Sequence, residues 1–433
     1  MTKAPRFGLR WRVVVLLACG ITANYLARSS LAVVAPVLHR ELGITIREYS
    51  YVVAGFQGAY TLVQPAVGLV LDHLGLRIGF TIFAVLWSLA NMLHALAGGW
   101  EGLMACRILL GASEAAIFPA GLKAVREWFP GQERSVATGW FNIGSSVGAM
   151  LAQPLVVWCI LIQGWQTAFI VTGGIGLAWA GAWFWLYRTP AEHSSLSAAE
   201  FDYIRAGQEQ PTAGKPSIRS ILIRPNFLGL AIARFFAEPA WQTFSFWIPL
   251  YLSTVKHMNL YQIAAFAWLP FLAADLGAVV GGYLAPLFMR WGRVSLLNSR
   301  KWVAVCGTAL MIGPASIGLT TGAVEAVALF CVGGFAHQML SGALFTASSD
   351  LFDDHEVATA CGLIGTVGFS GGLIFSLMIG KFAPMIGYNP LFLCLLLFDV
   401  VGVTTMCLLV RPRSAVAPSW VAEQSRLNPS CPD

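Results

Sequence analysis

Two charged side chains, Arg107 and Glu114, lie inside a long apolar run between residues 100 and 128. Seven residues separate them, so on a helix they project from nearly the same face, about 10 Å apart along the axis. An ionised side chain in hydrocarbon costs several kcal/mol, so a membrane helix keeps one only beside a partner, a cavity or a ligand. The spacing therefore indicates either a buried ion pair that locks two helices together or a site for a charged ligand.

Two earlier apolar runs carry further polar groups at helical spacing. Asn24 and Arg28 are one turn apart, and Gln57, Tyr60 and Gln64 follow one another at intervals of three and four residues, so each set shares a helix face. Two arginines and one glutamate leave one positive charge unbalanced, which an anionic substrate would complete. A sugar acid suits this set, because guanidinium binds carboxylate and amide or phenol groups bind hydroxyls. The two glutamines are also compatible with simple hydrogen bonding between helices, and the tyrosine with helix packing.

The composition is that of a membrane protein. Of 433 residues, 57% are hydrophobic and 11% charged, against roughly 25% charged in soluble domains. No Ser/His/Asp arrangement, phosphate loop or metal-ligand spacing occurs, so we expect no enzyme activity, no cofactor and no metal. The net charge of +6 follows from basic loops on one side of a membrane rather than from nucleic-acid binding.

Apolar runs long enough to span a bilayer predict an all-α protein of twelve transmembrane helices in two halves of six. We expect an N-terminal half at 1–187, a central loop at 188–225, a C-terminal half at 226–412 and a tail at 413–433. The predicted spans lie near 12–37, 50–71, 77–97, 100–128, 135–162, 165–187, 226–253, 260–289, 301–320, 323–349, 358–385 and 389–410.

The distribution of lysine and arginine predicts the orientation. With both termini in the cytoplasm, that side receives nearly all the basic loop residues, as the positive-inside rule requires. The opposite side keeps four basic residues: Arg40, Arg47, Lys256 and Lys381. We therefore expect a multi-pass protein of a bacterial inner membrane, monomeric, with both termini cytoplasmic.

The turn between the second and third spans reads Gly-Leu-Val-Leu-Asp-His-Leu-Gly-Leu-Arg over residues 68–77. Asp72 is placed to accept from helix-end N–H groups or an arginine, and Gly75 suits a tight turn. An imperfect copy begins at Gly281, with Pro286 where the acid would stand. A repeated loop at the same point of each half indicates internal duplication.

The 68–77 turn, with Arg77 at its end, resembles the signature of the major facilitator superfamily. Finer matches are similar to its anion:cation symporters, and most of all to their hexuronate (galacturonate and glucuronate) branch. These matches are the segments 24–28, 107–119, 247–252, 268–277 and 281–282.

The resemblance implies roles for particular residues. Arg28, Tyr60 and Arg107 match substrate-binding residues of the related symporters, and Glu114 matches their proton carrier. Asn24, Gln57 and Gln64 stand beside them as further candidates for substrate contact. Two second-half acids are implied as structural or gating residues: Glu238, before Pro239, and Asp275.

Two departures bear on mechanism. Gln338, a further candidate for substrate contact, follows His337 as in the hexuronate branch. Met339-Leu340 replaces the usual Gly-Trp after it and so removes an aromatic donor. Ala27 stands where relatives carry a protonatable Asp before the first arginine, and the sequence leaves open whether that alanine is natural or introduced. Glu114 then remains the only first-half acid placed to carry a proton, so we expect altered or impaired coupling.

The expected function is proton-driven import of a sugar-acid anion, a hexuronate, by alternating access. Two alternatives remain open: a symporter of the same family for another organic anion (an aldonate, an aldarate or an aromatic acid), and a membrane sensor that binds substrate without transporting it.

Overall fold

The first half of the chain forms seven α-helices. The computed structural model describes residues 8–130, 133–206, 218–352 and 356–412, so the predicted tail at 413–433 lies outside the described residues. The helices are α1 (Leu9–Glu41), α2 (Ile46–Leu74), α3 (Leu76–Leu93), α4 (Trp100–Glu114), α5 (Ile117–Trp128), α6 (Arg134–Gln163) and α7 (Trp165–Leu186).

Two short helices of the central loop precede the second half. They are α8 (Ala198–Ala206) and α9 (Ile218–Leu222). The second half contains α10 (Pro225–Thr254), α11 (Leu260–Phe266), α12 (Leu269–Gly292), α13 (Leu296–Leu310), α14 (Ile312–Ala315), α15 (Ala323–Leu351), α16 (Val357–Ile386) and α17 (Asn389–Leu409).

Three of the predicted spans are broken, and each break lies about four residues before a proline. Helix α4 ends at Glu114 ahead of Pro119, α11 ends ahead of Pro270, and α13 ends ahead of Pro314. Proline has no N–H to donate four residues back, and its ring clashes with that carbonyl. The first of these breaks places Glu114 at the end of a helix inside the bundle.

Ten helical stretches are long and apolar enough to cross a membrane, and they coincide with ten of the twelve predicted spans. The other two predicted spans correspond to α2 and α10, which have 29 and 30 residues and therefore sufficient length. These two helices carry more of the polar side chains discussed below. The all-helical membrane architecture is confirmed, and the count of twelve spans stays a prediction.

The two halves repeat one packing scheme. Helix α1 packs along α6 and α7, as α10 packs along α16 and α17. Helix α2 packs on α4, as α12 packs on α15. The correspondence agrees with the duplication that the repeated loop indicates.

The halves meet through α2 with α16, α1 with α10, and α6 with α11 and α12. We call the end at which α1 begins and α17 ends the termini end, and the opposite end the far end. At the far end Tyr49 Oη donates to the carbonyl of Phe246 over 2.8 Å, and its ring lies edge-on to Trp247 at 5.1 Å. These contacts join the halves at the far end.

Ion pairs at the termini end lie within each half. Arg10 contacts Glu133 and Glu200 at 3.1 Å each, which docks the loop helix α8 beneath α1. In the second half Arg224 pairs with Glu356 at 2.6 Å. These bonds stabilise each half separately and do not tie one half to the other.

Gly111 permits the close approach of α4 to α2, which gives a test of the packing. A Cβ at this position would overlap the backbone carbonyl of Phe56. We expect Gly111→Ala to cost about 1–3 kcal/mol of stability through overpacking, measured as a lower thermal unfolding midpoint in detergent. Gly139→Ala is the matched control, since nothing lies within 4 Å of a Cβ there. Equal midpoints for the two variants would contradict the close approach of α2 and α4.

Candidate functional site

The centre of the first half contains a buried ion pair between α1 and α4. Arg28 Nε donates to Glu114 Oε2 at 2.8 Å, and the two side chains are 9% and 0% exposed. Sequence spacing suggested Arg107 as the partner of Glu114. Ion pairs within a helix form between residues three or four apart, and seven residues place the two groups about 10 Å apart. Glu114 instead contacts the arginine on the neighbouring helix.

Arg107 is fully buried and only partly bonded. Its Nη1 donates to the backbone carbonyl of Arg28 at 3.1 Å. Its Nε and Nη2 have no hydrogen-bond partner. Across the described residues no carboxylate lies within ion-pair distance of it. A buried guanidinium with two open donors has the chemistry to accept an anion.

Aromatic rings surround the two arginines. The Arg28 guanidinium carbon lies 4.6 Å from the ring centroid of Tyr25 and 5.1 Å from those of Phe56 and Tyr60. The Phe56 ring also lies 5.8 Å from the Arg107 guanidinium carbon. These cation–π contacts hold both cations in place without occupying their N–H donors. Tyr25 and Phe56 were not among the predicted site residues, because aromatic residues in an apolar run read as packing.

Side-chain amides around the pair lack partners. Both Asn24 polar atoms are buried and unbonded, and Asn24 is 0% exposed. The oxygens of Gln57 and Gln64 are likewise without a partner. Buried polar groups are nearly always hydrogen-bonded in native structures, so each exception calls for an explanation. A polar ligand placed among them would supply the missing bonds.

Gln57 connects the first half to the second. Its Nε2 donates to Gln242 Oε1 at 3.1 Å, and Gln242 Nε2 donates to Glu238 Oε1 at 3.0 Å. Glu238 in turn pairs with Arg234 at 2.9 Å. Neither Arg234 nor Gln242 was among the predicted site residues. The spacing of Arg234, Glu238 and Gln242 at four-residue intervals was the available signal.

Other predicted second-half residues have mixed outcomes. Helix α10 continues through Pro239, so Glu238 does not mark a helix end. His337 is buried and stacks on Trp241 at 5.7 Å between ring centroids. Gln338 is half-buried beside it on α15. Asp275 accepts from Ser146 Oγ and so joins α12 to α6 of the other half, as expected of an acid that faces another helix.

Gly75 in the predicted turn after α2 has the expected geometry, whereas Asp72 bonds to a lysine and not to a helix-end N–H group or an arginine. Gly75 adopts φ 73°, which favours glycine, and it separates α2 from α3. Asp72 accepts from Lys123 Nζ at 2.6 Å, and Arg77 Nε donates to the Phe184 carbonyl at 2.9 Å. These bonds tie the turn to α5 and α7 at the termini end.

Comparison with known proteins gives matches over most of the chain. A family model described as Major Facilitator Superfamily matches residues 17–376. The hexuronate transporter of Escherichia coli (strain K12) is 48% identical over 98% of each chain. The galacturonate transporter of Dickeya chrysanthemi is 48% identical over 74% of this chain and 94% of its own. The D-galactonate transporter of Escherichia coli O6:H1 is 29% identical over 93% of this chain and 95% of its own.

The fold also matches a solved structure. It is a bacterial homolog to the human lysosomal transporter Spinster, in an inward-facing and occupied conformation. The TM-score is 0.75 at 16% identity, over 94% of this chain and 99% of that chain.

The unbonded amide of Asn24 leads to a prediction about the unfolding midpoint of the protein. An unsatisfied buried polar group costs about 1–3 kcal/mol, so Asn24→Leu, of similar size, is expected to raise the unfolding midpoint of the ligand-free protein. Asn91→Leu is the matched control, because buried Asn91 Nδ2 donates to the Phe169 carbonyl and to Thr172 Oγ1. That variant is expected to lower the midpoint. A lower midpoint for Asn24→Leu would mean that Asn24 serves the packing of the resting protein.

Proposed function

Because this chain belongs to the Major Facilitator Superfamily, we propose that it imports a sugar-acid anion, a hexuronate, together with protons. The resemblance to hexuronate transporters is confirmed, and so is the prediction that the chain is not an enzyme, since its relatives are named transporters. The observation that carries the proposal is the fully buried Arg107 with two open donors, beside an amide with no partner.

The substrate carboxylate binds Arg107. Its Nε and Nη2 form one edge of the guanidinium and present two parallel donors, which match the two oxygens of a carboxylate. Asn24, Gln57 and Gln64 supply donors and acceptors to the ring hydroxyls, and Tyr60 contributes its ring and phenol. An anion at this position neutralises a buried arginine that pairs with no carboxylate of the described residues.

Glu114 couples the proton to the substrate through Arg28. While Glu114 is ionised, it holds the Arg28 guanidinium at 2.8 Å. Protonation removes its negative charge and frees Arg28 for the incoming anion. Proton and anion binding therefore favour each other, which is the condition for symport.

The transport step is a rocking of the two halves. We assign twelve spans to halves at 1–187 and 226–412 joined by the loop at 188–225, in a monomer of the inner membrane. The termini end faces the cytoplasm, as the distribution of basic residues predicts. The far-end contacts of Tyr49 then close the periplasmic side in this conformation.

Ala27 limits what the first half can contribute. It is 1% exposed and lies next to Arg28, where the resemblance implies a protonatable aspartate. With alanine there, Glu114 is the acid that remains beside the first-half arginines. A first half with one carboxylate at its centre carries one proton at most.

A second candidate substrate is an aldonate, because the D-galactonate transporter is similar over most of the chain. The test is uptake of labelled uronates, aldonates and aldarates into proteoliposomes, with and without an imposed pH gradient. We expect hexuronate accumulation that depends on the gradient. Accumulation of an aldonate alone would identify an aldonate, and not a hexuronate, as the substrate. Saturable binding with no flux would identify a sensor.

Arg107→Lys keeps the charge and loses the planar fork. We expect at least a tenfold weaker substrate affinity, about 1.4 kcal/mol, with folding retained. Binding is measured by scintillation proximity or calorimetry, with Arg12→Lys, at an exposed position of α1, as control. If the Arg107 variant binds the substrate with normal affinity, Arg107 is a structural residue that donates to the Arg28 carbonyl.

Glu114→Gln imitates the protonated acid. We expect retained or tighter substrate binding, because Arg28 is released, together with loss of uptake driven by a pH gradient. Exchange of internal for external substrate is expected to continue, since it needs no net proton movement. Gradient-driven uptake at the wild-type level would remove Glu114 from the coupling mechanism.

A further inference from the structure

The second half contains a buried ion pair that the proposed binding of substrate does not use. Arg234 Nη2 and Glu238 Oε2 lie 2.9 Å apart, one turn apart on α10, with side chains 11% and 3% exposed. Helix α10 holds the place in the second half that α1, with Arg28, holds in the first. Each half therefore contains a buried arginine–glutamate pair on or beside its first long helix, α1 or α10.

A line of hydrogen bonds joins this pair to the first-half site. Gln242 donates to Glu238 and accepts from Gln57, which belongs to α2 and stands one turn before Tyr60. Any rocking of one half against the other must stretch or break the Gln57–Gln242 bond, because its two residues lie on different halves. The strength of that bond depends on Glu238, since an ionised carboxylate is the better acceptor for the Gln242 amide.

We propose that Glu238 is a second proton-carrying carboxylate, so that two protons accompany each sugar acid, one on Glu114 and one on Glu238. The inference rests on the proposed function. The proton on Glu238 takes the place of the one that an aspartate at position 27 would carry in the first half. A proton that binds Glu238 cancels its charge and leaves Arg234 without its counter-ion. It also weakens the acceptor of Gln242 and thereby loosens the bond between the halves.

The surroundings favour proton exchange at the termini end. Arg234 is the more exposed partner and lies one turn nearer that end. Its Nη1 donates to Ser341 Oγ, and its guanidinium carbon is 4.6 Å from the Phe345 ring. Ser341 and the phenyl ring therefore hold the arginine after the glutamate is neutralised, so the cation is not left without contacts.

Other titratable or charged groups belong to the helices packed against α10. Four of these groups lie near the middle of the bundle: Tyr25 and Arg28 on α1, His337 on α15 and Asp399 on α17. Two more lie towards the ends of α16, namely Cys361 and Lys381. Tyr261 of α11 and Arg219 of α9 lie beyond the ends of α10. Asp399 is the competing acid, for it is 1% exposed and neither oxygen has a partner. It has no bonded connection to an arginine or to the other half, so Glu238 is the better-placed group.

The charge carried per cycle tests the inference. A hexuronate with two protons moves one net positive charge, and with one proton it moves none. An interior-negative potential of about 100 mV should therefore raise the equilibrium accumulation of hexuronate about fiftyfold in the wild type. In Glu238→Gln the response to potential should vanish while the response to a pH gradient remains. The measurement is uptake into proteoliposomes under a valinomycin-imposed potassium gradient.

Three further variants separate a proton site from a structural pair. Glu238→Asp keeps a titratable carboxyl and is expected to keep the response to potential. The charge-balanced double variant Arg234→Gln with Glu238→Gln is expected to transport without that response, and it serves if the single variant misfolds. Asp399→Asn, the matched buried acid, is expected to respond like the wild type.

The outcomes are distinct. A wild type that accumulates hexuronate with no effect of potential overturns the second proton and leaves the proposed function intact. A wild-type response to potential in either variant that lacks Glu238 also overturns the second proton and leaves the proposed function intact. Loss of the response in Asp399→Asn alone would assign the second proton to Asp399. A wild type that accumulates no sugar acid under either gradient overturns the proposed function itself.

Discussion

The structure depends on one constraint, which is that a charge inside a membrane bundle must be neutralised. Two buried glutamates each neutralise one buried arginine, Glu114 with Arg28 and Glu238 with Arg234. Arg107 remains with its charge unmatched and two of its donors open. In the proposed function, the free energy of leaving a cation in this state is recovered when an anion binds, so the imbalance that destabilises the empty site gives it affinity.

The repeated packing of the two halves bears on the proposed movement between them. Each half packs its helices in the same order around its own ion pair. Within the described parts of the chain, fewer polar bonds join the halves than lie inside either half. Tyr49 ties them at the far end, while Gln57 and Gln242 tie them in the middle. A ligand that takes the Nε2 donor of Gln57 would compete with that middle contact. Ligand binding and the relative position of the halves would then be coupled directly through this contact, with no pathway of residues between distant sites.

Much of the architecture could be predicted from the sequence because membrane helices follow simple rules. Length and hydropathy indicated the spans and a repeated loop indicated two halves, while the orientation indicated by the basic residues stays a prediction. Arg28, Tyr60, Arg107 and Glu114 were singled out by their cost in hydrocarbon and by a family resemblance. Arg234 and Gln242 were missed although the same spacing rule applies to them, because the aromatic residues around them suggested ordinary packing.

The sequence by itself determined which residues are too costly to bury without a partner, since that cost depends on side-chain type and on an apolar run. It did not determine where a span breaks, since α4 ends ahead of Pro119 whereas α10 runs unbroken through Pro239 and Pro249. Only the tertiary structure decided the partners. Arg107 and Glu114 are close in sequence but too far apart along one helix to pair, and Glu114 meets Arg28 because α1 and α4 come together. An ion pair requires contact over about 3 Å, and the packing of helices far apart in the chain decides which groups come that close.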